Sequence, residues 1–241
     1  MKTRLEIIYE DKAIVVVSKP PFLRSIPDRY APDLPNVFHQ LQAIYDEIFV
    51  VHRLDKNTSG LLVFAKTETA HRLLSIQFEN RVAEKTYLTL LEGKLEPAEG
   101  VIDKPIGPHP RIPNRMIIAP KGKPSKTTYR AVKFYKKFTL AEAKIETGRT
   151  HQIRVHFESI GYPLAVDEIY GRRKEIFFND IKQGKISLGK EAEPRPLLAR
   201  TALHAFRLKI QHPVTGMMME WEAPLPKDFK ALVNQLDRWG N

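Results

Sequence analysis

The stretch His52-Arg53-Leu54-Asp55-Lys56-Asn57-Thr58-Ser59-Gly60 runs directly into the apolar segment Leu61-Leu62-Val63-Phe64-Ala65. Asp, Asn, Ser, Thr and Gly favour turns, whereas the second segment has the length and composition of a buried strand. The pattern predicts a polar loop held by a strand, so the backbone directs the side chain of Asp55. From the residues alone, Asp55 is either a hydrogen-bonding cap of this turn or a functional carboxylate.

Length and composition limit the classes of protein to which the chain can belong. Its 241 residues, 42% of them hydrophobic, are enough for one large or two small domains with a proper core. The chain has no cysteine, which excludes disulfides and thiolate metal sites. No apolar run approaches the roughly 18 residues of a membrane span, and the first residues lack a signal-peptide layout. We expect a soluble, cytoplasmic protein.

The net charge of +11 is concentrated in one segment. Between Lys104 and Arg154 there are 13 Lys and Arg residues against two acids, Glu142 and Glu146, and the rest of the chain holds 26 residues of each sign. Such a run can be a solvated face. Because aromatic residues are interleaved with the basic ones, a polyanion-binding surface is the better interpretation, and nucleic acid is the expected partner; these aromatics are Tyr129, Tyr135, Phe134 and Phe138.

Hydrophobic periodicity predicts helices and strands in mixed order. Helices are expected after Asn36, from Thr69, after Thr150 and after Pro226. The predicted strands are Leu5 to Tyr9, Ala13 to Val17, Leu61 to Ala65, Leu88 to Leu91, Thr127 to Tyr135, Thr139 to Glu146, His204 to Ile210 and Met217 to Trp221. Hairpin-joined strands with interspersed helices indicate an α+β fold, a mixed and largely antiparallel β-sheet flanked by helices. We expect a single catalytic domain over residues 1–241, with a polar insertion at about 172–200.

Three stretches together resemble one enzyme family. They are HRLDKNTSGLLVFAKT at residues 52–67, Glu84-Lys85-Thr86-Tyr87-Leu88, and Thr147-Gly148-Arg149-Thr150-His151-Gln152-Ile153-Arg154-Val155-His156. They are similar to the active-site segments of the RluA-type pseudouridine synthases, and weaker matches extend the resemblance from about Tyr9 to Pro226. The resemblance implies a pseudouridine synthase-like fold, with Asp55 as the catalytic residue, Arg149 as its ionic partner and Tyr87 as the ring that stacks on the target base.

The chain departs from the family pattern at its periphery. Pro21-Phe22 follows the first Lys-Pro, where the family usually has a pair such as Gly-Pro or Ala-Gly. Tyr162 and Val166 stand where a histidine and a glycine are common. Many relatives carry a small RNA-binding domain ahead of the catalytic one; since about a dozen residues precede Ala13 here, we expect that module to be absent.

The implied reaction needs no metal or cofactor, and none is expected. Asp55 either adds covalently to the base or the sugar, or removes a sugar proton, and each route needs an ionised carboxylate that a neighbouring arginine favours. The target base must leave its RNA stack. Arg53 is expected to fill the space it vacates and Ile153 to pack at the pocket floor. The remaining residues assigned to RNA binding are Arg154, Lys121, Lys123 and Lys126.

Other interpretations remain open at this stage. A non-catalytic RNA-binding protein on the same fold would keep the basic face without the chemistry. A metal-dependent hydrolase would need ligand clusters, but His151 and His156 lack a suitably spaced carboxylate. His52 beside Asp55 is expected to hold the loop, although a chemical role is worth testing. Ribosomal RNA, transfer RNA or both are possible substrates; the oligomeric state is undetermined, with a monomer the simpler expectation.

Overall fold

Strands and helices alternate irregularly along residues 5–182 and 195–240, which are the residues that this computed structural model describes. The strands are β1 (Glu6–Glu10), β2 (Ile14–Lys19), β3 (Phe49–Val50), β4 (Ser59–Ala65), β5 (Glu84–Glu92), β6 (Glu99–Asp103), β7 (Ile106–Pro108), β8 (Met116–Ile118), β9 (Lys126–Phe134), β10 (Phe138–Ile145), β11 (Leu203–Gln211) and β12 (Met218–Glu222). The helices are α1 (Val37–Gln42), α2 (Glu68–Glu79), α3 (Gln152–Ser159), α4 (Phe178–Ile181) and α5 (Lys227–Trp239).

The chain divides into two compact units. The first comprises Met1–Tyr87 and His204–Pro224, and the second comprises Leu88–Leu203 and Leu225–Asn241. The chain therefore leaves the first unit within β5 and returns to it at the start of β11. That the two units form one catalytic domain stays a prediction.

The first unit is built around strand β4, all seven residues of which are buried. On one side β2 pairs with β4 in antiparallel register, and β1 pairs with β2. On the other side β4 runs parallel to β11, with Ser59 opposite His204 and Gly60 opposite Ala205. β12 continues the sheet antiparallel to β11. A strand enclosed on both edges and both faces must be apolar throughout, as Leu61 to Ala65 are.

Two capped helices accompany this sheet. Asn36 caps α1, since its Oδ1 accepts a hydrogen bond from the backbone N of His39 at 2.8 Å, which confirms the predicted start. Thr67 caps α2 by accepting from the N of Ala70 at 3.2 Å, two residues before the predicted start. A helix continued after Asn36 with its regular period would place Ile44 on the core face, but the structure does not place it there. Its side chain is 62% exposed, because α1 ends at Gln42 and the helical period stops with it.

In the second unit, the strands from β6 to β10 form antiparallel pairs. β9 and β10 form the predicted hairpin, β6 pairs with the outer edge of β9, and β7 and β8 form a separate two-stranded sheet. α5 buries one face, as its period predicts. The main core of this unit contains Leu90, Tyr135, Phe138, Leu140, Ala165, Val166, Ile176, Ile181, Leu198, Ala202, Phe229, Leu232 and Leu236.

Two predictions in the basic segment need correction. Thr150 does not cap α3: the helix begins at Gln152, and the residue before it, His151, has a left-handed backbone with φ of 56°. Three of the four interleaved aromatics, Tyr129, Tyr135 and Phe138, are buried, and Phe134 alone of the four is exposed, at 45%. Tyr129 and Phe138 point inward from β9 and β10, and Tyr135 is buried in the connection between these strands. These three rings therefore belong to the core and not to a binding surface.

The fold class is confirmed as α+β with a mixed, mostly antiparallel arrangement of strands. Residues 183–194 of the predicted insertion lie outside the described residues. Its two ends meet in the core of the second unit, where Ile176 and Leu198 form an isolated antiparallel bridge. None of the described helices has the length and apolar character that a membrane crossing requires.

Candidate active site

Asp55 lies in a short irregular loop that leads into β4. The turn Lys56–Asn57 follows it, and the backbone N of Thr58 donates to the carbonyl of Asp55 at 3.1 Å. The Asp55 side chain is half-buried. Gly60, the second residue of β4, has a φ of +111°. A Cβ atom at this position would lie 2.2 Å from the carbonyl oxygen of Ala205. Glycine is therefore required where the loop enters the parallel pair of β4 and β11.

Two polar side chains brace this loop from the N-terminal part of the chain. The Oγ of Ser25 accepts from the N of Leu54 and donates to its carbonyl, both at 2.9 Å. Lys19, fully buried at the end of β2, donates from Nζ to the carbonyl of Lys56 at 3.1 Å and to that of Leu23 at 2.7 Å. The residues on both sides of Asp55 are thus held by groups far away in the sequence.

Sequence reasoning missed these two bracing residues. One available signal was a lysine at the end of a strand that is apolar from Ile14 to Val17, where a buried cation needs several acceptors. No comparable signal marks Ser25 among the prolines that surround it.

Tyr87 lies on β5 with 8% of its surface exposed. Burial raises the pKa of its hydroxyl, and the negative charge of Asp55 raises it further. The phenol therefore remains neutral and can donate a proton to a hydrogen bond, but it cannot act as a phenolate base near neutral pH. The structure brings Asp55 and Tyr87 within electrostatic range of each other in the first unit.

His52 has a structural role in holding the loop. Its Nε2 accepts a hydrogen bond from the N of Val63 at 3.1 Å, and its ring stacks on Phe78 with 4.5 Å between centroids. Burial, with the nearby positive charge of Lys85, lowers the pKa of His52 to about 3. A neutral imidazole that accepts at Nε2 ties the loop to β4, as expected for a structural residue.

Arg149 belongs to the second unit, in the loop between β10 and α3. Its backbone N donates to Oε1 of Gln152 at 3.1 Å, and its Nε donates to the carbonyl of Pro124 at 3.4 Å. Since Asp55 belongs to the first unit, the ionic pairing of these two residues stays a prediction.

Gln152 shapes the loop that carries Arg149. Its Oε1 also accepts from the hydroxyl of Thr147 at 2.7 Å, and its Nε2 donates to the carbonyl of Lys126 at 2.9 Å and to Thr127 at 3.1 Å. All four hydrogen-bonding positions of the amide are used, so it links this loop to the start of β9. Sequence reasoning assigned Gln152 no role.

The other predicted RNA-binding residues fall into three groups. Arg53, Lys121 and Lys123 are exposed. Lys126 lies at the start of β9, where its ammonium is 2.9 Å from a carboxylate oxygen of Glu146. Ile153 is buried in α3.

Arg154 is buried and engaged. Its Nε and Nη2 donate to the two carboxylate oxygens of Asp167 at 2.6 and 2.8 Å. Asp167 also accepts from the backbone N of Ile169 and of Tyr170. This bidentate pair anchors the segment after α3. Because the side chain is enclosed, its geometry offers no support for the predicted contact with RNA.

Comparison with known proteins agrees with this arrangement. The family model described as RNA pseudouridylate synthase matches residues 13–159, a range that contains Asp55, Tyr87, Arg149 and Ile153. The chain belongs to the RNA pseudouridylate synthase family.

Related curated proteins place the chain within this family. It is 39% identical to the ribosomal large subunit pseudouridine synthase D of Nitrosomonas europaea, over 96% of this chain and 65% of that protein. It is 36% identical to the protein of the same name from Escherichia coli K12, over 95% of this chain and 69% of that one. The chain is a pseudouridine synthase of the RluA type, and it spans about two thirds of the length of these relatives.

Solved structures show the same fold. Human RNA pseudouridylate synthase domain containing 1 aligns with a TM-score of 0.73 at 27% identity, covering 98% of this chain and 88% of that one. Human RNA pseudouridylate synthase domain containing 4 also has a TM-score of 0.73, at 22% identity, with 96% and 93% covered. The second likeness establishes the fold alone.

Two departures of this synthase from the family pattern have a common conformation. Phe22 and Val166 have φ angles of 67° and 58°, in the left-handed region. Glycine reaches this region without penalty, whereas a branched or bulky side chain is strained there. The glycine common in the family at the position of Val166 is therefore explained by backbone conformation.

Cavity size does not locate the active site of this pseudouridine synthase. A cavity of about 1160 Å³ in the first unit is lined by β1 and by residues around α1, among them Ile7, Leu34, Leu41 and Ile44, and by none of the predicted site residues. Within the described ranges, no cluster of three His, Asp or Glu side chains suits a metal ion.

Proposed function

We propose that this synthase converts uridine to pseudouridine in large-subunit ribosomal RNA, with Asp55 as the catalytic carboxylate. The related proteins of Nitrosomonas europaea and Escherichia coli are named for the ribosomal large subunit, which supports this substrate over transfer RNA. The basic segment between Lys104 and Arg154 supplies the positive charge that an RNA partner needs.

The observation that carries the proposal is the environment of Asp55. Its loop is held on both sides by Ser25 and Lys19, and the carboxylate is close enough to Tyr87 to raise the pKa of that buried hydroxyl. An ordinary turn-capping aspartate needs neither a braced backbone nor a buried aromatic neighbour. A fixed carboxylate beside an aromatic ring suits attack on a stacked base or its sugar.

The proposed reaction replaces the glycosidic bond to N1 of uracil by a bond to C5 of the same ring. The bond from the sugar C1′ to the base N1 breaks, the uracil turns, and C1′ joins to C5, while the proton lost from C5 is balanced by a proton gained at N1. Asp55 either forms a covalent bond to the base or the sugar, or removes a sugar proton. Each route starts from the ionised carboxylate.

Tyr87 and Arg53 handle the extruded base in this proposal. Extrusion costs a few kcal/mol. Stacking on an aromatic ring returns about 1–3 kcal/mol per base, which is the scale required. Tyr87 supplies the ring. Because its hydroxyl is neutral, it adds no second negative charge next to Asp55. Arg53 is exposed and lies two residues before Asp55. It fills the space that the extruded base leaves in the RNA stack.

Arg149 is the ionic partner of the Asp55 carboxylate in this proposal. A guanidinium next to a carboxylate favours its charged form. The loop that presents Arg149 is fixed by Gln152, whose amide makes four hydrogen bonds. Ile153, the next residue, is buried and contributes an apolar surface.

Replacement of the carboxylate tests the proposal. Asp55→Asn keeps the shape of the side chain but removes its charge, and pseudouridine formation in a transcript of large-subunit ribosomal RNA should fall below detection. RNA affinity and thermal stability should change little. Asp46→Asn, which alters an exposed aspartate after α1, is the matched control and should retain full activity. Turnover by Asp55→Asn at a rate near that of the wild type would refute the assignment.

The substrate needs a separate measurement. Pseudouridines mapped in ribosomal and transfer RNA from cells with and without the protein should differ in the large-subunit RNA. A difference confined to transfer RNA would overturn the substrate but leave the reaction. Tight RNA binding with no pseudouridine formed in either RNA would favour the alternative of a non-catalytic RNA-binding protein.

A further inference from the structure

Lys85 is a buried cation that the proposed chemistry does not use. It lies on β5 with 8% of its surface exposed, two residues before Tyr87. Since side chains alternate along a strand, Lys85 and Tyr87 project from the same face. Glu84, the neighbouring acid, projects from the opposite face, where its carboxylate lies 3.6 Å from the ammonium of Lys209.

No acid among the described residues forms an ion pair with the Lys85 ammonium. Its Nζ lies 5.4 Å from the centroid of the Phe78 ring, and Phe78 in turn stacks on the neutral ring of His52. Lys85 takes part in no ion pair among the described residues. Burial lowers its pKa to about 8, which shows that the charged form is held at a cost.

The ammonium nevertheless remains open to a ligand. Among the described residues, Nε of Arg115 is the one enclosed side-chain nitrogen or oxygen without a hydrogen-bond partner. The Nζ of Lys85 therefore keeps contact with solvent although most of the side chain is covered. The interaction with the face of Phe78 stabilises the ammonium less than a hydrogen-bonded anion would. Its N–H donors therefore remain available to bind an anion.

We propose that Lys85 is a phosphate-binding site for the RNA substrate and contacts a backbone phosphate next to the uridine held at Asp55 and Tyr87. This inference rests on the proposed function for the identity of the anion. A nucleotide stacked on Tyr87 carries phosphates on both sides of its sugar, and Lys85 is the buried cation on the same strand face. The phosphate supplies a counter-ion, which none of the described residues provides, so binding relieves the cost of the buried charge.

Lys85→Met separates this role from a structural one. Methionine has a similar length, is uncharged, and packs well against an aromatic ring such as Phe78. Binding is measured by fluorescence anisotropy with a uridine-containing RNA stem-loop at several KCl concentrations, and folding by thermal unfolding. Lys85→Arg keeps the charge, and Lys12→Met removes one exposed lysine from the same unit as a matched control.

We expect Lys85→Met to weaken RNA binding by about threefold to tenfold and to reduce the log-log salt slope by about 0.7, the value for one lost contact to a single strand. Its melting temperature should equal or exceed that of the wild type, because an unpaired buried charge has been removed. Lys85→Arg should retain the wild-type slope, and Lys12→Met should change the affinity by less than about twofold.

Two results would overturn the inference. One is an unchanged salt slope for Lys85→Met, and the other is a fall in its melting temperature that accounts for the lost affinity. The test measures binding and not turnover: Lys85→Met should bind RNA more weakly with a smaller salt slope, whereas Asp55→Asn should keep the wild-type slope but form no pseudouridine. Failure of the phosphate site and failure of the proposed reaction therefore give different results.

Discussion

Ser25 shows how much the position of Asp55 depends on one hydroxyl group. Its Oγ satisfies both the N–H and the carbonyl of Leu54, 29 residues away in the sequence. The hydroxyl and Leu54 are both buried, so water cannot replace the lost hydrogen bonds without cost. Ser25 therefore helps to position the carboxylate that we propose as catalytic, although it does not touch substrate in the proposed mechanism.

Ser25→Ala should lower the free energy of unfolding by about 1–3 kcal/mol, because a buried N–H and carbonyl lose their partner. Turnover should fall more than RNA affinity, since the loop that positions Asp55 loosens. Urea unfolding and single-turnover pseudouridine formation measure the two effects. Ser75→Ala, on the half-buried part of α2, is the control and should alter neither. Unchanged turnover in Ser25→Ala would show that the brace is dispensable.

At the scale of elements, the basic segment contains cations that are paired with acids and cations that are available to contact RNA. Arg115, Lys126, Arg130 and Lys133 each lie within ion-pair distance of an acid in the second unit. Lys121 and Lys123 are exposed in the segment between β8 and β9, with no acid paired to them among the described residues. The excess charge predicted from the sequence is real, but only part of it is available to RNA.

Lys121→Ala and Lys123→Ala should each reduce the log-log salt slope of RNA binding by about 0.7. Lys126→Ala should reduce it less, because Glu146 already neutralises that ammonium at 2.9 Å. Anisotropy titrations at several salt concentrations give the slopes, and the three variants serve as controls for one another. Equal slopes for all three would mean that the ion pair with Glu146 opens when RNA binds.

At the scale of the whole molecule, the chain crosses between its two compact units three times, in β5, at the start of β11 and between Pro224 and Leu225. Each unit has its own core and its own buried polar contacts. In the second unit the ion pair of Arg154 and Asp167 is enclosed, with side chains 9% and 0% exposed. Burial favours the neutral form of Asp167, but Arg154 and two backbone N–H groups outweigh it and lower the pKa of the carboxyl.

Arg154→Met should destabilise the protein by about 3–5 kcal/mol at neutral pH, because it leaves a carboxylate buried without its partner. Since the folded-state pKa of Asp167 lies below its usual 3.8, the contribution of the pair is present above that pH and is lost as the pH falls through the lowered value. The difference between variant and wild type should therefore shrink in acid. Thermal unfolding from pH 3 to pH 7 measures it.

Arg130→Met is the matched control, since its side chain is 62% exposed and pairs with Glu142 on the neighbouring strand. Such a surface pair contributes less than about 1 kcal/mol. A loss of stability in Arg154→Met no larger than in this control would show that Asp167 finds another partner.

Local pattern in the sequence was enough to predict several elements of this protein. The loop and strand at Asp55, the hairpin of β9 and β10, the cap at Asn36 and the amphipathic helix α5 all follow from turn chemistry and from periods of two and 3.6 residues. These features depend on neighbours close in the sequence. They could therefore be predicted without knowledge of the tertiary structure.

The contacts that make the loop at Asp55 a candidate site were decided only by tertiary structure. Periodicity tells which side chains share a face but not what that face meets, so the brace by Ser25, the unpaired ammonium of Lys85 and the enclosure of Arg154 had no local signature. The buried rings of Tyr135 and Phe138 were misassigned for the same reason. Packing between distant segments fixes which charges are satisfied, and this determines which remain available for a substrate.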